Sequence, residues 1–190
     1  MERKTFLKAS VFGLGAALVP GFASCRMEAS ENNKVSKLTQ DTMVPTMPPK
    51  IIRESEGTHM NVIGDNQILK LSGKDTNGLF TLIEENNDPG IGIPLHVHEN
   101  EDEIFHVLEG QLKVTIGDST TILNSGDIGF LPRKIPHAWK VIGDTPTKVL
   151  LSIFPAGLEE MFAELSKLEP GPPDLDRVAE ITNKYQIQFV

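Results

Sequence analysis

The sequence predicts an all-β domain of antiparallel strands, a sandwich or barrel, followed by a helical extension. Three observations carry this. From Ile51 onward, short apolar runs alternate with Gly, Asn, Asp and Pro at close spacing, the pattern of many short strands joined by turns. Several runs have period two: Leu112, Val114 and Ile116 share one face, Lys113 and Thr115 the other. After Pro155 the period changes, and Leu158, Met161, Phe162, Leu165 and Leu168 follow helical spacing.

Taken in order, the expected strands are Asn61–Ile63, Ile68–Leu71, Leu79–Glu84, Leu95–His98, Glu103–Glu109, Gln111–Ile116, Thr120–Leu123, Ile128–Leu131, His137–Val141 and Val149–Phe154. Glu109-Gly110 and Gly117-Asp118 supply turn chemistry. A first helix is expected over Gly157–Leu168 and is broken by Pro170-Gly171-Pro172-Pro173. Asp174 is the expected N-cap of a second helix that places Leu175, Val178 and Ile181 on one face. Gln186–Val190 reads as a final strand or a tail. No internal repeat is visible.

The chain has 190 residues, 39% hydrophobic and 23% charged, enough for one domain with a core. Its net charge of −8 argues against nucleic acid as a partner, because phosphate binding needs clustered Lys and Arg. The single cysteine, Cys25, excludes an internal disulfide.

Arg3, Lys4 and Lys8 precede an apolar run from Val11 to Val19, then Phe22-Ala23-Ser24. This is the layout of an export signal. The small residues before Cys25 resemble the lipobox of bacterial lipoproteins, although Phe22 stands where Leu is usual. On that resemblance Cys25 is the lipidation site. The protein would then be exported and tied to a bacterial membrane by its lipid anchor alone, facing the periplasm or cell exterior. A plain cleaved signal and an uncleaved anchor are the alternatives. Arg3-Lys4-Thr5-Phe6-Leu7-Lys8 also resembles the twin-arginine export motif, with Lys4 replacing the second Arg. The expected organisation is a signal over 1–24, a polar tether over 25–50, the barrel over 51–156 and the helical extension over 157–190.

Three of the five histidines fall in one constellation. His96 and His98, two apart on a strand, project from the same face. Glu99-Asn100-Glu101-Asp102 forms a polar turn, and Glu103 opens a strand that can run back beside the first. His137 follows later. Two imidazoles, a carboxylate and a third imidazole are donors for a borderline divalent metal. Glu99, Glu101 and Asp102 are alternative acidic ligands that the turn is expected to leave solvated. His106 falls on the face opposite Glu103, as a surface or packing residue. His59 lies before the first expected strands and has no assigned role.

Gly90, His96, His98, Glu103 and Gly110 have the spacing of the first motif of the cupin family, and Gly126, Pro132 and His137 resemble the second. Lys134 departs from the family's Gly, and Val141 from its frequent Asn. The resemblance covers roughly residues 60–155. It implies a cupin-type jelly-roll barrel with one divalent ion (Fe, Mn, Ni, Cu, Co or Zn) held by His96, His98, Glu103 and His137. Strand alternation then places Phe105 and Val107 on the face of Glu103, and Trp139 on the face of His137. Phe105 and Trp139 are expected to contact substrate, while Val107 fits plain core equally well.

Gly73–Gly78 and Pro155–Phe162 are similar to stretches of single-domain cupins that resemble quercetin 2,3-dioxygenase. The implied activity is a dioxygenase-like oxidation of a small enol or phenol, with Glu103 as catalytic proton acceptor. A metal-dependent isomerase, lyase or hydrolase acting on a sugar or keto acid, and a non-catalytic envelope protein binding a metal or small ligand, are the alternatives. The helices are expected to act as a packing lid or as the contact of a homodimer.

Overall fold

The computed structural model describes residues 47–169 and 171–190. The expected signal over 1–24, Cys25 and most of the expected tether lie outside the described residues, as does Pro170. Among the described residues no helix is long and apolar enough to cross a membrane.

The strands are β1 (Thr58–Val62), β2 (Asp65–Leu71), β3 (Thr81–Asn87), β4 (Gly92–His98), β5 (Asp102–Glu109), β6 (Gln111–Ile116), β7 (Ser119–Asn124), β8 (Ile128–Leu131), β9 (His137–Ile142), β10 (Thr147–Phe154) and β11 (Ile187–Phe189). The helices are α1 (Gly73–Thr76), α2 (Leu158–Leu165) and α3 (Leu175–Lys184). Two antiparallel sheets result, ordered β1-β2-β3-β10-β5-β8 and β11-β4-β9-β6-β7. Their inward faces follow from alternation. Ile83, Phe105, Val107, Leu112, Leu131 and Ile153 are fully buried, and their sequence neighbours face outward.

Several boundaries differ from the sequence expectation. The first strand begins at Thr58, and Ile63, expected at its end, adopts φ 56° in the turn to β2. His59 is therefore a strand residue, paired with Ile68 and exposed. The third strand starts at Thr81, two residues later than expected, because a short helix precedes it. Ser72 starts α1 by donating from its N and Oγ to Asp75 Oδ2 at 2.9 and 2.8 Å, and Asn77 ends it at φ 54°.

Gly110 turns the chain from β5 to β6 at φ 78°, where a Cβ would press on Thr147 and on Pro146 O. Lys134, standing where the second motif has glycine, takes the same left-handed region at φ 66°. Its N–H donates to His98 O at 2.7 Å.

The chain end folds back over the barrel. The first expected helix is shorter than its periodicity suggests, running Leu158–Leu165. Glu159 latches it down: Gly73 N, Gly157 N and Thr81 Oγ1 donate to its carboxylate at 2.7, 2.8 and 2.5 Å. Asp174 caps α3 by accepting from Asp176 N and Arg177 N, both at 3.1 Å. Val178 and Ile181 are buried as expected, but Leu175, on the same face in the first turn, lies beyond the packed part of the stripe and is exposed. The final residues form a strand: Ile187 pairs with His98 and Phe189 with His96.

Candidate metal centre

His96 and His98 share the inward face of β4, and His137 is the cross-strand partner of His96 on β9. Glu103 comes from β5 in the other sheet. The ring centroids of the three histidines are 4.4 to 5.0 Å apart. One donor atom from each of the four residues lies within 4.8 Å of every other. All four are buried, with exposures of 5% or less.

The chemistry of this donor set fits a divalent cation. His96 Nδ1 lies 2.8 Å from Pro94 O, and His137 Nδ1 lies 3.1 Å from Ile135 O. A carbonyl only accepts, so each Nδ1 carries the proton and each Nε2 keeps its lone pair. His137 Nε2 sits 3.2 Å from Glu103 Oε2 outside hydrogen-bond geometry, without a partner among the described residues. His137 Nε2 and Glu103 Oε2 thus stand side by side as two metal-donor atoms.

The protonation states agree. Burial, then the neighbouring His137, holds His96 down to about 4 against the pull of Glu103. Burial also lowers His98. For Glu103, burial pushes the carboxyl up, but the imidazoles of His98, His137 and His96 outweigh it and bring the carboxyl to about 2. At neutral pH the set thus presents neutral imidazoles at His96 and His98 beside an ionised carboxylate, the forms that bind metal.

A cavity of about 70 Å³ adjoins the set. Phe105 and Trp139 line it, with ring centroids 6.2 Å apart. Val107 is buried core and does not line it. Met161, Phe162 and Leu165 of α2 and Val178 of α3 also line it, so the helical extension forms part of its wall. A larger recess of about 340 Å³, lined by Lys113, Thr115 and Lys140, holds none of the four donors. The smaller cavity is the one with chemistry in it.

The alternative acids separate. Asp102 takes Arg133 through N, Nε and Nη2 at 2.8, 3.0 and 2.7 Å, and Glu99 pairs with Lys134 at 2.9 Å. Glu101, expected in solvent, is buried at 8% exposure, with Oε2 3.9 Å from His98 Nδ1. The turn tucks this side chain under the imidazole instead of projecting it. His106 is half-buried, away from the donors. Sequence reasoning missed the polar residues inside the barrel, Asp65, Gln67, Glu85 and Asn87, all buried. Their signal is a phase: Glu85 and Asn87 continue the core face set by Thr81 and Ile83.

Residues 84–154, which contain all four donors, match the profile described as a cupin domain. The chain is 29% identical over 93 residues to a quercetin 2,3-dioxygenase of Bacillus subtilis, covering 49% of this chain and 28% of the relative. It is 31% identical over 107 residues to a quercetin 2,3-dioxygenase of Aspergillus japonicus, covering 52% and 30%. The chain thus spans less than a third of the length of either relative. Among solved structures, KdgF from Halomonas sp. superposes with a TM-score of 0.53 at 18% identity, covering 60% of this chain and 99% of that one. The barrel is a cupin-type jelly roll, and the domain match with the two relatives supports the cupin family for this chain.

Proposed function

We propose that this protein is a metal-dependent, dioxygenase-like enzyme acting on a compact enol or phenol. The observation that carries the reading is the buried His96–His98–Glu103–His137 set opening onto a cavity walled largely, though not wholly, by apolar side chains. A divalent ion bound there supplies Lewis acidity to an enol oxygen and, where redox-active, electron transfer with dioxygen. Phe105 and Trp139 form a wall against which a flat substrate can pack. The residues of α2 and α3 in the cavity wall exclude water. Glu103, ionised and at the centre of the donors, serves as an anionic ligand and is the nearest carboxylate for a substrate proton. The cavity has room for about five to seven water-sized groups, too little to enclose a flavonol whole, so the substrate is smaller than that of the named relatives.

The test is to load the protein separately with Fe, Mn, Ni, Cu, Co and Zn and measure oxygen uptake with small β-diketones and phenols. Uptake with a redox-active metal and none with Zn is expected, and His137→Ala should lose both metal and uptake while the barrel stays folded. Turnover with Zn and no oxygen consumption would move the reading to an isomerase or lyase. Metal binding without turnover across the panel would leave a ligand-binding protein.

A further inference from the structure

The cavity beside the donor set contains polar groups that the proposed function leaves unused. Gln67 on β2 and Glu85 on β3 are cross-strand partners, so their side chains leave the sheet side by side. They are 3% and 2% exposed, and both line the cavity with His96, His98 and Glu103. Gln67 is oriented from behind: its Nε2 donates to Asp65 Oδ2 at 2.7 Å, and Asn87 Nδ2 donates to Asp65 Oδ1 at 2.6 Å. With the amide N–H committed, Gln67 Oε1 is left as a free acceptor. Gln67 Oε1 and Glu85 Oε2 are both buried without a hydrogen-bond partner among the described residues. Buried polar atoms left unpaired cost stability, so a fold that keeps two in one cavity keeps them for something that enters it.

We propose that Gln67 and Glu85 form the recognition end of the cavity and select a compact, uncharged α-hydroxycarbonyl compound. Its hydroxyl donates to Gln67 Oε1 and its adjacent carbonyl accepts from the Glu85 carboxyl. The inference rests on reading the cavity beside the four donors as the substrate site. Burial, with the Asp65 and Glu103 carboxylates nearby, pushes the Glu85 carboxyl well above the usual carboxylate range, which leaves it a proton to donate. The ionised Glu103 beside the cavity disfavours a ligand that carries its own carboxylate.

Trp139 is the chain's single tryptophan and lines the cavity, so its fluorescence reports on occupancy. The experiment titrates the zinc-loaded and metal-free full chain with hydroxyacetone, acetone and lactate. Saturable quenching by hydroxyacetone is expected, with acetone and lactate about tenfold weaker or worse. Gln67→Met and Glu85→Leu should each weaken hydroxyacetone about tenfold, and Glu85→Gln, which keeps a donor, should stay within about threefold. No saturable response, or equal binding by the two apolar variants, overturns the proposal.

Melting of the metal-free proteins is the second readout. Glu85→Leu should melt at or above the parent temperature, because it removes a buried unpaired polar atom, whereas Gln67→Met also removes the donor to Asp65 Oδ2 and should melt lower. A lower melting temperature for Glu85→Leu would assign Glu85 to the fold and overturn the proposal. Zinc content of the same samples separates the two readings: absence of zinc in the parent rejects the metal centre, while binding and melting still judge Gln67 and Glu85.

Discussion

Removing the Glu159 carboxylate should loosen the helical extension while leaving the barrel's core untouched. Its oxygens accept from Gly73 N, Thr81 Oγ1 and Gly157 N, joining α2 to α1 and β3. Glu159→Ala leaves the Thr81 hydroxyl, on a fully buried residue, without its partner, a loss of about 1–2 kcal/mol. Gly73 N adds about 1 kcal/mol, and Gly157 N little, since Gly157 is exposed and water replaces the carboxylate there. The total is about 2–3 kcal/mol, which lowers Tm by about 5–10 °C for a domain of this size.

The pH dependence is a sharper test. Burial pushes Glu159 up, but the donors of Thr81, Gly73 and Gly157 outweigh it, and the carboxyl lies below its ordinary 4.5. A carboxyl whose folded pKa is depressed contributes stability that is complete above the unfolded value and is lost as pH falls through the folded one. The stability gap between wild type and Glu159→Ala should therefore be constant above pH 5 and close as the solution is acidified below 4.5. Urea titrations at pH 7, 5 and 3 measure it. A gap under about 0.5 kcal/mol at pH 7, or one that does not shrink in acid, would refute the latch.

Three further outcomes are expected. In metal-free protein, His96 is held at about 4 against an ordinary 6.5, so between those values the unfolded chain binds the extra proton. His96→Gln should therefore remove a loss of stability that begins below pH 6.5 and is complete near pH 4, readable by denaturant titration. Lys134→Gly should raise stability by about 0.5–1 kcal/mol in thermal melts, because glycine relieves the left-handed φ of 66° and only an exposed pair with Glu99 is lost. Gly110→Ala should cost more than about 2 kcal/mol in the same assay, because its Cβ meets Pro146 O at 2.7 Å on a backbone already at φ 78°.

Much of the arrangement is legible in the sequence, for reasons that differ by residue. His96 and His98 reveal their common direction through period two; Glu103, expected on a strand running back beside theirs, instead reaches them from the other sheet, because the turn carries the chain across the barrel. His137 is remote in sequence; the motif around Gly126 and Pro132, not periodicity, points to it. Alternation alone does not say which face of a strand turns inward. On β3 the phase is carried by Thr81 and Ile83, and Glu85 and Asn87 follow it into the barrel against their polarity. Glu101 was hidden for another reason: a polar turn reads as solvated, and its burial under His98 depends on the path of the loop. The short helix α1 escaped because four residues are too few to display a period, though Ser72 and Asp75 spell its cap.

The donor set draws its imidazoles from one sheet and its carboxylate from the other. An ion seated there would act as a rivet through the two layers. Shear of one sheet over the other would then have to break coordination before it could break packing. Loading the site should slow hydrogen exchange in β4, β5 and β9 together, as one cooperative block, although β5 belongs to the other sheet. Metal availability would in that way set the barrel's rigidity as well as its chemistry.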